Sequence, residues 1–113
     1  MRLNYLTRET LNAVIALTEV AHGEKDRDRG PLGVGLTEMD LKLREYINSL
    51  SDDEKAELLA VMWIGRRDGG ATVDDFEGAF THAKSELDHV GEYMTNKDPL
   101  AQYLKDGMQL LGL

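Results

Sequence analysis

An all-α, compact single-domain bundle of about five helices, with a central buried third helix, is the fold class that three features of this sequence predict. Leu, Ala, Met, Glu and Lys are abundant and only two Pro occur, which favours helix over sheet. Successive segments place apolar residues three and four apart, and none alternates with the period of a strand. Residues 58–64 are apolar on every face, the property of a helix enclosed on all sides. A length of 113 residues suits one domain, here 1–113. With 42% hydrophobic and 30% charged residues, the chain has the composition of a globular protein and not of a disordered one.

The first helix is expected from Thr7, a plausible N-cap, to about His22, with Gly23 closing it. Leu11, Val14, Leu17, Thr18 and Ala21 share its inner face, with Ile15 and His22 at one margin. Residues 23–35, "GEKDRDRGPLGVG", alternate charge and then meet Gly30, Pro31, Gly33 and Gly35. They read as a flexible internal loop. A phosphate-cradling loop would need Gly-Lys-Ser/Thr after a strand, and neither is present. Thr37 and Asp40 form an acidic variant of the capping box, with Leu36 and Leu41 placed as a hydrophobic staple. Met39, Leu43, Tyr46, Ile47 and Leu50 make the stripe of this second helix, which ends by Leu50.

Ser51-Asp-Asp-Glu54 is a full capping box for the third helix, with acidic residues where the helix dipole favours them. Gly69 or Gly70 is expected to close it in the left-handed conformation. The fourth helix starts around Thr72–Asp75 and runs at least to His89, carrying the stripe Phe76, Ala79, Phe80, Ala83, Leu87, Val90 and Met94. Asp98 as cap and Pro99 at the first position open the fifth, whose inner face is Leu100, Tyr103, Leu104, Gly107, Met108 and Leu111. Gly112 stops it.

Several function classes fall away on composition. A formal net charge of −8, with no Lys/Arg-rich stretch, opposes nucleic-acid binding, because releasing counterions from phosphate needs a positive face. No apolar run approaches the roughly 20 residues that span a bilayer, and the start lacks the apolar segment of a signal peptide. A cytoplasmic location without membrane contact is therefore expected. The absence of Cys excludes disulfides, thiolate metal sites and a Cys nucleophile.

Chemistry-bearing residues are few. Ser51 has a capping role, Ser85 lies opposite the fourth helix's stripe, and no Gly-x-Ser-x-Gly elbow occurs. Asp52-Asp53 and Asp74-Asp75 are adjacent pairs at helix starts, diverging by about 100°. No catalytic residue is expected. Glu19/His22 and Glu86/His89 place Glu-x-x-His on two helices, the spacing of di-metal carboxylate bundles. The full pattern needs inward Glu from two more helices, but Glu45 lies off its stripe and Glu54 and Glu57 precede the apolar section. Neither a metal nor a cofactor is expected.

Two groups of candidate binding residues remain. Arg66 and Arg67 follow Trp63 at a helix end, where cations complement exposed carbonyls and where surface Arg beside Trp can also bind acidic groups. His82, Glu86 and His89, with Tyr93, form a strip bordering the fourth helix's stripe. The strip reads either as a half-solvated flank or as an interface sensitive to pH near the ordinary histidine pKa, about 6.5.

The segments "DEKAELLAVMWIGR" (53–66), "DDFEGAFTHA" (74–83) and "YMTNKDPLAQYLKDGMQLLG" (93–112) resemble a family of small bacterial proteins, the domain of unknown function numbered 3775. The likeness spans residues 50–112, and its most characteristic parts are Met62-Trp63-Ile64-Gly65-Arg66 and Pro99-Leu100-x-x-Tyr103-Leu104-x-x-Gly107. The resemblance implies no activity and supplies no catalytic residue. The expectation is a non-catalytic protein-interaction module for a partner protein or a second copy. The alternative is a helical domain binding a small molecule or metal.

Overall fold

The computed structural model describes residues 3–28, 38–67, 72–97 and 99–113, the side chains of 22–28 excepted. Six α-helices and no strand are found among them: α1 (Arg8–Asp28), α2 (Glu38–Asn48), α3 (Asp52–Arg66), α4 (Phe76–Lys84), α5 (Val90–Thr95) and α6 (Leu100–Leu111). A 3-10 turn, Val73–Asp75, leads into α4.

Local chemistry sets most boundaries. Thr7 Oγ1 accepts the Thr10 N–H at 3.1 Å, so α1 starts at the expected cap. Its end differs from expectation: the helix passes His22 and Gly23 and continues to Asp28. A single glycine costs a helix about 1 kcal/mol relative to alanine. Residues 29–35 of the expected loop, like Leu36 and Thr37 of the expected cap and staple, lie outside the described residues. Leu41, the other half of the staple, is exposed.

The capping box of α3 forms as the sequence predicts: Ser51 Oγ accepts from Glu54 N–H at 3.2 Å, and Glu54 Oε1 accepts from Ser51 N–H at 3.0 Å. Closure of α3 does not. Arg67 itself takes the left-handed position, φ 57°, and its N–H reaches the Ile64 carbonyl at 3.0 Å. The turn closes as soon as the buried run ends, before either expected glycine. Pro99 stands at the N-cap of α6, one position later than expected. Gly112 (φ 71°) ends α6 in a Schellman motif, with Gly112 N–H on the Gln109 carbonyl and Leu113 N–H on that of Met108.

Helix α3 is the centre of the molecule. From Ala56 to Gly65 every residue except Trp63 is buried. It packs on α6 along one side and on α4 and α5 along the other, while α1 joins α2 and α6. The α3–α6 crossing brings backbone against backbone. A methyl on Gly65 would overlap the Tyr103 carbonyl and stand 2.8 Å from Gly107 N, and one on Gly107 would overlap the Val61 carbonyl. Two glycines, one from each helix, make this approach possible.

The α3 stretch hides one acid. Glu57 is buried, and its carboxylate accepts three backbone N–H groups: Asn4 at 2.9 Å, Tyr5 at 2.8 Å and Leu6 at 2.7 Å. This pins the N-terminal segment across the start of α3, where Tyr5 stacks on Phe80 of α4 at 6.0 Å. Lys84 pairs with Asp53 and ties the end of α4 to the first turn of α3. No helix of the described residues is long and apolar enough to cross a membrane.

Glu57→Gln places an amide NH2 against one of these three donors. It is expected to cost about 1–3 kcal/mol in denaturant unfolding and to speed hydrogen exchange at Tyr5 and Leu6. Unfolding within about 0.5 kcal/mol of wild type, with exchange unchanged, would contradict this role for Glu57.

Candidate functional site

The expected long fourth helix is two helices. Its apolar stripe is correct, with Phe76, Ala83, Val90 and Met94 buried, but the backbone breaks over residues 85–89. At the end of α4 the hydrogen bonds tighten to the three-residue spacing, Ser85 N–H to the His82 carbonyl and Glu86 N–H to that of Ala83. Ser85 Oγ also donates to the His82 carbonyl at 2.6 Å. His89 then takes a left-handed conformation, φ 61°, and α5 departs in a new direction. The gain is burial: α5 packs on α2, and Gly91 comes so close that a methyl there would overlap the Asn48 side chain.

This elbow creates a cleft of about 560 Å³. Leu59 and Trp63 of α3 line it, one turn apart on the same face, together with His82 of α4. Glu86, Asp88 and His89 come from the elbow, and Glu92, Tyr93 and Asn96 from α5 and its end. The expectation of a wholly enclosed α3 needs correction here. Trp63 is half-buried, because the elbow turns α5 toward α2 and leaves the indole facing an open cleft. The His82 imidazole covers it at 5.3 Å, tilted by 41°.

Charges around the cleft are paired loosely. His82 Nε2 lies 3.9 Å from Glu86 Oε1, and His89 Nδ1 lies 3.8 Å from Glu92 Oε2. The break thus replaces the Glu86–His89 pair expected on a continuous helix. Arg44 of α2 reaches Glu92 from behind at 3.8 Å. The two histidines and their glutamate partners are largely solvated, so their pairs contribute little to stability.

Tyr93 is more firmly held. Burial alone raises its phenol pKa, but hydrogen bonds from Trp63 and Arg66 and the charges of Lys97 and Arg66 outweigh burial and hold the phenol below its usual value. Arg66 Nη1 lies 3.2 Å from the phenol oxygen, and Lys97 Nζ stands 4.3 Å from the ring centre. The Arg66 guanidinium also lies 5.8 Å from the Tyr103 ring of α6.

Four of the six candidate binding residues, Trp63, His82, Glu86 and His89, therefore line one cleft, while Arg66 and Arg67 do not. Arg66 backs the cleft through Tyr93, and Arg67 is exposed at the helix cap. Leu59, Asp88, Glu92 and Asn96 were not singled out by sequence. Tyr93 was seen in the strip, but nothing in the spacing shows its link to Trp63. Among the described residues no three His, Asp or Glu come together in a way that could hold a metal ion. Glu19 pairs with Lys105 at 3.4 Å, and the His22 side chain lies outside the described atoms.

Residues 40–113 match the model of a family described as "Protein of unknown function (DUF3775)". The matched region holds all nine cleft residues and both glycines of the α3–α6 crossing, and leaves α1 outside. No curated protein and no solved structure matches the chain.

Removing the Arg66 guanidinium withdraws one hydrogen bond and one positive charge from the phenolate form of Tyr93. Arg66→Gln is expected to move the Tyr93 titration upward toward that of an ordinary tyrosine, followed by NMR of carbon-labelled tyrosine. A titration unmoved by the substitution would contradict the arrangement.

Proposed function

This chain belongs to the DUF3775 family of proteins of unknown function, and for it we propose a role as a non-catalytic protein-interaction module that docks its partner at the α3–α4–α5 cleft. The observation that carries the proposal is the convergence of Trp63, His82, Glu86 and His89, from three parts of the chain, on one concave surface. An aromatic side chain set low among polar neighbours has the anatomy of a binding hot spot, where a central anchor is surrounded by a wet rim.

The setting of the titratable groups supports binding over catalysis. The side chains of His82 and His89 are 65% and 84% exposed, and those of Glu86 and Glu92 are 58% and 52% exposed. Acid–base and electrostatic catalysis draw their strength from positioned groups in sites that exclude water, whereas rim groups of an interface remain solvated until the partner arrives. A second reading, a small organic molecule in the cleft, is favoured only by the volume, which falls within the ordinary range for ligand sites.

The test compares the wild type with His82→Ala/His89→Gly in pull-downs from the native cell. Both positions are exposed, and glycine suits the left-handed backbone at 89, so the thermal melt should stay near that of wild type. One stoichiometric protein retained by the wild type and lost by the double variant is expected. A partner held equally by both proteins would overturn the cleft as the docking surface.

A further inference from the structure

We infer that the occupant of the cleft is an arginine side chain presented by an exposed segment of the partner protein. The inference rests on the interaction reading above and adds the chemistry that the cleft selects.

Charge complementarity carries the first part. The lining includes three carboxylates, Glu86, Asp88 and Glu92, and neither lysine nor arginine. No ion pair reaches Asp88 among the described residues, and Glu86 has only an imidazole at 3.9 Å. A cation entering the cleft meets three carboxylates, and the cations that stand near the lining, Arg44, Arg66 and Lys97, are already engaged with Glu92 and Tyr93.

The aromatic wall carries the second part. This end of the fold already places cations against rings, Lys97 on Tyr93 at 4.3 Å and Arg66 on Tyr103 at 5.8 Å. Trp63, the best cation–π acceptor among the side chains, lines the cleft half-buried next to them. A guanidinium fits this combination better than an ammonium. It is planar and weakly hydrated, so it can stack on the indole while its N–H fork donates to carboxylates at the rim. An ammonium gains the charge but not the stacking, and gives up a tighter hydration shell.

Exposure of the rim carries the third part. Small-molecule sites enclose most of their ligand, but here the carboxylates and imidazoles stand mostly in solvent. A side chain that enters while its backbone lies across the rim meets that geometry, and the partner's own surface then supplies the missing cover.

The only Trp in the chain lines the cleft, so intrinsic fluorescence reports directly on occupancy. The probes are capped tripeptides with arginine, citrulline, lysine or glutamate between two alanines, titrated at low salt. The arginine peptide is expected to give a saturable change in Trp63 emission and to bind about tenfold more tightly than its neutral citrulline counterpart. Lysine should fall between them and glutamate should give no response. Added salt should weaken the arginine response, and Glu86→Gln/Asp88→Asn/Glu92→Gln should abolish it with little change in the melt. Citrulline binding as tightly as arginine, no response to arginine, or an unchanged response in the carboxamide variant would each overturn the cationic occupant. None of these results touches the cleft reading itself, which fails separately if the partner survives His82→Ala/His89→Gly.

Discussion

The crossing of α3 and α6 through Gly65 and Gly107 is the contact on which the rest of the molecule depends. Ordinary helices keep their axes 8–10 Å apart because side chains stand between them. Here each glycine meets the other helix's backbone, so the two helices are pressed together along a seam with no room for a methyl group. The seam also fixes the rotation of α3 about its axis. Trp63 lies two residues before Gly65, about 200° round the helix, so with Gly65 against α6 the indole emerges on the opposite side, toward α4 and α5. Leu59, one turn earlier, lies beneath it in the same cleft. The segments that end in Gly65-Arg66 and that run from Pro99 to Gly107, both inside the region the family model matches, are the two halves of this seam.

Around that seam the remaining elements are held by local ties of different chemistry. Glu57 collects three backbone N–H groups and thereby stitches the N-terminal segment to the central helix. Such a buried carboxylate is tolerable because its charge is met by several donors at once. Tyr93 gathers Trp63, Arg66 and Lys97, linking α5 to the end of α3. The elbow between α4 and α5 then converts a continuous apolar stripe into two faces at an angle. The angle produces a concavity, and in it a half-buried aromatic sits among carboxylates.

Much of the fold was legible because caps and stripes act locally. Ser51 with Glu54, Thr7 and Gly112 each mark a boundary by a hydrogen bond or a backbone conformation that its residue type favours. The burial of 58–64 was legible for all but Trp63, since uniform apolarity cannot say which side faces an opening made by other elements. The elbow was invisible for a related reason: Ala83, Leu87, Val90 and Met94 keep helical spacing across the break, so periodicity continues where the backbone does not. What selects the break is tertiary, the packing of Val90 and Met94 and the approach of Gly91 to Asn48. The site was half legible. Five lining residues belong to the histidine strip and the Trp, while Asp88, Glu92 and Asn96 join only once α5 has turned. Glu57 carried no signal, because a glutamate in the second turn of a capped helix reads as a solvated one.

Gly65→Ala gives the most direct test, because local propensity and the crossing predict opposite signs. Alanine is the better helix former by about 1 kcal/mol, so with no backbone contact at Gly65 the substitution would stabilise the protein. With the crossing in place, the added methyl must force α3 and α6 apart, and a loss of at least about 2 kcal/mol in urea unfolding is expected. Stability equal to or above that of wild type would contradict the seam and, with it, the orientation of Trp63 toward the cleft.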